Sequence, residues 1–323
     1  MNQFIQATFL LIVLLLIKGT AKSQDAHFNG VQDMIIWYNP SLKTNKVPQA
    51  HASIRSVNYP NVIAYSSKAA TIELPLISRD KSADDNIFFF NLAAGIITDN
   101  SSDHFLNVST AMLSLSYALP MNDDNTCLAI GFSGNYSFNK VGFGVPYQIS
   151  ESFDKYGPLQ SALANDPNAS GYSYGYFTAG AGVSIFHAGE QKQWYIGGSI
   201  RHINHPYSEW THAVRLPSNI GIQAGYNAAV SNEDAFGAYI NYSSLANIQE
   251  QLIGFRYTRT LDDSTNSAFS LGLVYHIGDA LVPNISLTFG HNQLAFYYEL
   301  NLTDYSSGNY RRRAFEFSYK RDL

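Results

Sequence analysis

Apolar residues alternate with small or polar ones along most of this chain. Residues 193–206 show the pattern. Trp194, Ile196 and Ile200 fall on one face of a strand, and Tyr195, Gly197, Ser199, Arg201 and Ile203 on the other. The same period of two recurs in 50–59, 68–77, 86–98, 105–119, 126–139, 173–187 and 193–205. It continues in 219–230, 235–243, 249–260, 267–277, 284–291, 293–303 and 310–323. These fourteen segments run near the roughly 9–11 residues of a tilted membrane strand. Turn-forming clusters such as Asn122-Asp123-Asp124-Asn125, Asn232-Glu233-Asp234 and Asp262-Asp263-Ser264 separate them.

The composition of the two faces decides which solvent each one meets. In one segment Leu128, Ile130, Phe132 and Tyr136 alternate with Ala129, Gly131, Ser133, Asn135 and Ser137. In another, Leu294, Phe296, Tyr298, Leu300 and Leu302 alternate with Ala295, Tyr297, Glu299, Asn301 and Thr303. Near the end Phe315, Phe317 and Tyr319 alternate with Ala314, Glu316, Ser318 and Lys320. A soluble two-sheet protein needs a charged outer face. Here the second face is Gly, Ser, Ala, Asn and Tyr, as for a barrel lumen. The predicted fold class is therefore all-β: a transmembrane antiparallel β-barrel of about 14 strands, of outer-membrane type, over residues 47–323.

Composition agrees. Of 323 residues 46% are apolar and only 14% charged, against about 25% charged in soluble domains. The 22 Tyr, 20 Phe and 23 Gly favour strands and tight turns. Tyr59, Tyr117, Tyr136, Tyr174, Tyr242 and Tyr275 lie near strand ends and are read as interfacial girdle residues.

Residues 1–23 read as a secretory signal. Nine unbroken apolar residues span 9–17, too few to cross a bilayer, and Ala21-Lys22-Ser23 is a small-x-small cleavage site. Removing them takes away Lys18 and Lys22 and no acid, so 18 basic residues face 25 acidic ones and the net charge is −7. That balance argues against nucleic acid as a partner. The lone Cys127 forms no internal disulfide, which fits a bacterial envelope. After the signal no apolar run is long enough for a spanning helix. Residues 24–46 are an irregular amino-terminal segment with an apolar centre at Met34, Ile35, Ile36, Trp37 and Tyr38, suited to plug or line a barrel mouth. The long connection 143–171 carries a predicted short helix at 158–164.

Candidate chemistry is sparse. His202, His205 and His212 cluster in sequence, but positions three apart on a strand point to opposite faces, so no metal site is expected. No Ser stands at a compelling spacing to a His and an orienting acid, and no phosphate-binding glycine loop opens a helix, so no catalytic residues, enzyme activity or cofactor are expected. Ala179-Gly180-Ala181-Gly182 lies inside a strand pattern and reads as close packing or a bend. Glu299, Arg256 and Glu316 fall on inward faces and are read as a polar ladder. Arg311, Arg312, Arg313, Lys320 and Arg321 make a basic final strand. It is read as a solvated strand end at the membrane boundary, the alternative being attraction to anionic lipid or an acidic partner.

Several of these residues also resemble one family. Trp194-Tyr195-Ile196-Gly197-Gly198-Ser199-Ile200-Arg201-His202-Ile203-Asn204-His205-Pro206 is similar to the mid-chain signature of the PorP/SprF family. Gln24-Asp25, His27-Phe28 and Tyr38-Asn39-Pro40 resemble its mature amino terminus. Gly225-Tyr226, Phe296-Tyr297-Tyr298-Glu299-Leu300 and Ala314-Phe315-Glu316-Phe317-Ser318 resemble later strands. Ser41-Leu42-Lys43 stand where the family has Ala and a nearby Gly, and Tyr298-Glu299 where it has an aromatic-Asp pair. The resemblance implies a Bacteroidota outer-membrane barrel of the type IX secretion and gliding machinery, in contact with outer-membrane lipid. Its implied partners are secreted cargo or adhesins and periplasmic components of the secretion motor. The expected partner-binding residues are Trp37, Tyr38, Asn39 and Pro40, with Arg201, His202 and Asn204. The segments 24–46 and 143–171 are the expected partner surfaces, because a barrel fixes the bases of its loops and leaves them free. The alternative function is a porin-like channel for small solutes.

Overall fold

A strand forms wherever the period of two holds, and adjacent strands match their apolar positions across the ladder. Ile54 sits opposite Phe317, Leu115 opposite Phe132 and Ile185 opposite Ile196. The computed structural model describes residues 28–59, 63–79, 87–101, 106–121, 125–141, 153–154, 157–158, 172–207, 215–246, 248–302 and 312–323.

The strands in chain order are β1 (Gln49–Tyr59), β2 (Ile63–Arg79), β3 (Ile87–Ser101), β4 (Leu106–Pro120) and β5 (Thr126–Val141). A two-residue pair follows, β6 (Phe153–Asp154) and β7 (Gly157–Pro158). Then come β8 (Tyr172–Ala188), β9 (Lys192–Arg201), β10 (Asn219–Ala229), β11 (Asp234–Leu245) and β12 (Ile248–Asp262). The last are β13 (Ser267–His276), β14 (Ala280–Phe289), β15 (Asn292–Asn301) and β16 (Arg313–Asp322). β6 and β7 pair only with each other; the other strands pair antiparallel with their neighbours, and β1 pairs with β16, so fourteen strands close one barrel. Closure removes every free lateral edge of the sheet within the membrane, which hydrocarbon demands. No helix among the described residues is long and apolar enough to cross a membrane.

The greasy faces point outward. Phe132 is 61% exposed and Phe317 55%, and Leu128, Ile130 and Phe315 are exposed beside them. Ala129, Ser318 and Glu316 on the alternate positions are buried. Leu128, Ile130, Phe132, Phe315 and Phe317 therefore build no dry central core; hydrocarbon is their solvent. Gln49 pairs with Asp322, so the first and last strands meet at one mouth, together with the short turns 189–191, 230–233, 263–266 and 290–291. The longest connection, 142–171, joins strand ends at the opposite mouth. The usual orientation of such barrels assigns the short turns to the periplasm and the opposite mouth to the cell surface.

Two strand boundaries and one side-chain orientation differ from the sequence reading for a local physical reason. β9 stops at Arg201 rather than continuing to His205, because His202 (φ 58°) and His205 (φ 43°) adopt left-handed backbone. Ile203 consequently leaves the inward face and is exposed. β14 starts at Ala280, before Pro283 rather than after it. Its ladder to β15 skips Val282 and Pro283, the place where a missing N–H is tolerated. Tyr174 is not a girdle residue: it shares the inward face of β8 with buried Thr178 and stacks on Tyr176 at 6.2 Å. Tyr136 and Tyr275 face outward as expected. The side chain of Tyr59, the 1–23 signal and the helix beyond Pro158 lie outside the described residues. Pro158 itself pairs with Phe153.

Candidate functional site: a plugged lumen with a chamber above it

Residues 28–43 have no period of two and cannot join the wall. They fill it instead. A 3-10 turn (Val31–Met34) runs into one helical turn (Ile35–Tyr38), and Phe28, Val31, Met34, Ile36 and Leu42 are all buried. Ile36, 1% exposed, packs on Ala93 and Met112, while Phe28 and Met34 pack on Ala69 with Ile97 beside them. Val31 joins Tyr239, Leu252, Val274, Val282, Ala295 and Tyr297 on the other side. The lumen is thus a core in its own right, built from inward strand positions and this plug.

Polar groups fix its position. At the leading end the Glu316 carboxylate accepts the backbone N–H of Asn29 at 2.6 Å and of Gly30 at 3.1 Å, and the Ser53 hydroxyl at 3.1 Å. At the trailing end Lys43 pairs with Glu73 at 3.2 Å and donates to Gln49 at 2.9 Å. Between them Asn39 Nδ2 donates to Gln223 Oε1 at 3.0 Å, and Asn39 Oδ1 accepts from the Ser41 N–H and hydroxyl. This knot lies against backbone. A Cβ on Gly131 would strike the Pro40 carbonyl, and one on Gly182 would strike Asn39 Oδ1. The small-residue run in β8 is therefore close packing against the plug.

The Asp33 side chain is 5% exposed, at the plug's centre. Burial pushes its carboxyl up, but Lys320 at 3.4 Å, with Arg256 and His51, outweighs that and holds it below the ordinary carboxylate range. Glu299 pairs with Arg55 at 2.6 Å and with Arg312, which also reaches Asp279 at 2.5 Å. The final strand is therefore not a uniformly solvated basic end. Arg312 and Lys320 turn into the lumen and are ion-paired, whereas Arg313 and Arg321 are exposed and Arg311 lies outside the described residues. Glu299 and Glu316 do face inward, as a network that ties the plug to β1 and β16.

Above the plug, under the surface mouth, is a cavity of about 160 Å³. Its floor is Phe28, Met34, Trp37 and Tyr38 of the plug, and its wall includes Asn135, Asn139, Tyr176, Asn219 and Glu250. That is room for about five waters. Asn135 Oδ1, Asn139 Nδ2 and Asn219 Oδ1 have no hydrogen-bond partner among the described residues.

The sequence-derived residues divide between knot, chamber and rim. Trp37 lines the chamber and donates Nε1–H to Thr71 at 2.8 Å. Tyr38 lies 5.9 Å under the Arg201 guanidinium, and its carbonyl accepts the Ser199 hydroxyl at 2.7 Å. Arg201 and His202 line the chamber wall. Asn39 and Pro40 belong to the buried knot, their contacts all inside the barrel. Asn204 sits at the rim, where its side chain bonds the Ala179 N–H at 3.0 Å and the Phe177 carbonyl at 2.7 Å. His202 and His205 place Nδ1 3.2 Å from the carbonyls of Pro217 and Leu216, as turn caps. His212 lies outside the described residues, and no cluster of three metal-ligating side chains occurs among those described. Asn135, Asn139 and Asn219 escaped sequence reading. Their only signal was an inward polar position.

Residues 24–320 match the family model for the type IX secretion system membrane protein PorP/SprF. The chain belongs to this family. With the barrel, that membership places the protein in the outer membrane as a type IX secretion membrane component. No curated protein matches the chain significantly. Among solved structures, the Pseudomonas putida toluene transporter TodX superposes with a TM-score of 0.50 at 8% identity, covering 94% of this chain and 96% of its own. The CymD monoaromatic hydrocarbon channel gives 0.50 at 11% identity, covering 93% and 95%. At such identities the likeness is one of fold.

Proposed function

We infer that this PorP/SprF barrel is a non-enzymatic scaffold that supports the secretion or surface attachment of cargo proteins. One observation carries the reading: residues 28–43 fill the lumen and are tied to the wall from β1 to β16. A barrel occupied by its own chain is suited to hold partners at its two rims rather than to pass solute. Cargo would meet the surface loops, and the secretion apparatus the short periplasmic turns. Deleting the coding region tests this by comparing secreted and surface-bound proteins with the parent strain. Loss of specific proteins from the surface, restored by the intact gene, supports the reading; an unchanged set overturns it.

The second reading is a small-solute channel. The chamber above the plug favours it, since a polar cavity lies on the axis a solute would follow. That reading requires the plug to move.

A further inference from the structure

The barrel wall is not level at the surface mouth. β8 begins at Tyr172, but β9 meets it only from Gly180, opposite Arg201. Eight residues of β8 therefore rise past the end of β9 while still paired to β5 on their other side. Asn204 closes the first part of this step by bonding the Ala179 N–H and the Phe177 carbonyl, and Ile203 N–H bonds the Ala179 carbonyl at 3.0 Å. Residues 177 and 179 thus aim their backbone groups toward the β9 side. By the period of two, so do Ser173 and Gly175. The Phe177 N–H and both backbone groups of Gly175 and Ser173 have no partner among the described residues.

Such an edge is not tolerated in hydrocarbon. Its level agrees: Phe177 lies opposite Tyr136, Gly175 opposite Phe138 and Ser173 opposite exposed Lys140, so the edge stands at and above the outward aromatic ring. Ser173, Tyr174, Gly175, Tyr176 and Phe177 themselves offer no proline, bulge or charge to blunt it.

The edge leads down into the chamber. Tyr174 and Tyr176 stack on its inward face, and Tyr176 lines the cavity. Asn139 on β5 lies opposite Tyr174, and its Nδ2, like Oδ1 of Asn219 on β10, is buried with no hydrogen-bond partner among the described residues. The two sets complement each other. A row of backbone donors and acceptors at strand spacing recognises an extended polypeptide, which sugars or hydrocarbons do not match. Amide donors and acceptors on the cavity wall suit that polypeptide's inward-pointing side chains or its turned end. The plug floor stops it from threading further.

We propose that the free edge of β8 at Ser173, Gly175 and Phe177, with the chamber below it, captures an extended peptide segment of a secreted protein by strand addition from the cell-surface side. This rests on the cargo reading above and gives it a place. The segment pairs its backbone with β8 and drops alternate side chains past Tyr174 and Tyr176 toward Asn139 and Asn219.

The test uses the mature full-length protein in nanodiscs, panned against a phage-displayed random heptapeptide library. Enriched peptides are then titrated by fluorescence of Trp37 at the chamber floor. Ser173→Pro removes one edge N–H without touching the ladder to β5, Ser173→Thr keeps it, and Asn139→Leu removes the chamber amide. Heat-dependent mobility on gels verifies that each barrel is folded. The proposal expects peptide binding to the parent and to Ser173→Thr, and at least about tenfold weaker binding to Ser173→Pro and Asn139→Leu. Failure to enrich any peptide overturns it, as does equal binding to all four proteins. So does a response of Trp37 to a neutral maltooligosaccharide with none to peptide. Secretion in cells separates this from the broader reading. If deletion abolishes surface display of a protein while Ser173→Pro leaves it intact, only the β8 site fails. If deletion changes nothing, the cargo function itself fails.

Discussion

The Asn39 carboxamide reaches across the lumen to Gln223, donating Nδ2–H to Oε1 at 3.0 Å, with both side chains almost wholly buried. The pair joins residues 184 positions apart and pins the plug to β10. Gln223→Leu leaves an amide hydrogen of Asn39 with only the Gly198 carbonyl at 3.3 Å. A buried donor deprived of its acceptor costs about 1–3 kcal/mol. Denaturant unfolding in lipid vesicles should show a midpoint lowered accordingly, with the barrel still folding. An unshifted midpoint would mean the pair contributes nothing to holding the plug.

Close approach gives a sharper handle. Gly182 and Gly131 leave space that Asn39 and Pro40 occupy. Gly182→Leu should expel the knot rather than the strand, since β8 remains paired on both sides there. A thiol placed by Ser41→Cys is then the reporter, native Cys127 being buried. Ser41→Cys alone should resist a hydrophilic maleimide, and the Gly182→Leu double variant should react. Reaction in both would show that the plug opens without help.

Glu299 sits between Arg55 and Arg312. Glu299→Gln leaves buried Arg55 and half-buried Arg312 with one carboxylate fewer, and breaking a buried pair this way costs about 3–5 kcal/mol. The exposed pair Arg259–Glu233 is a control; Glu233→Gln should cost under about 1 kcal/mol. Equal losses in the two variants would contradict the assignment of Glu299 to the luminal network.

Acid should loosen the plug through Asp33. Its carboxyl is held below the ordinary value near 3.9 by the cations around it. A depressed folded value means the stabilisation is fully present above the unfolded value and is lost as pH falls through the folded one. Trp37 fluorescence followed from pH 7 downward should therefore hold until below about pH 4 and then change. Asp33→Asn should be less stable at pH 7 and show a weaker acid dependence. The same dependence in both would remove Asp33 from the account.

The strands were legible because two solvents impose a strict alternation, so Leu128 or Phe317 could face only lipid. Where that alternation was carried past the strand, it misled: the period of two puts Ile203 on the inward face with Ser199 and Arg201, but left-handed His202 had already turned the chain. The plug was harder. Trp37, Tyr38, Asn39 and Pro40 stood out, but nothing local shows that Asn39 would be buried against Gly182 and Gln223, residues far away in sequence. The chamber amides were invisible for the same reason, since an inward Asn on β5 acquires meaning only beside one on β10. Arg312 and Lys320 looked like surface charge until Glu299 and Asp33 were seen facing them.

Conductance in a planar bilayer tests the central claim most directly, because an occupied lumen should carry no steady ion current. The mature protein is expected to leave the membrane insulating, and the Gly182→Leu variant to conduct once its knot is displaced. Large sustained currents through the unaltered protein, equal to those of Gly182→Leu, would contradict it.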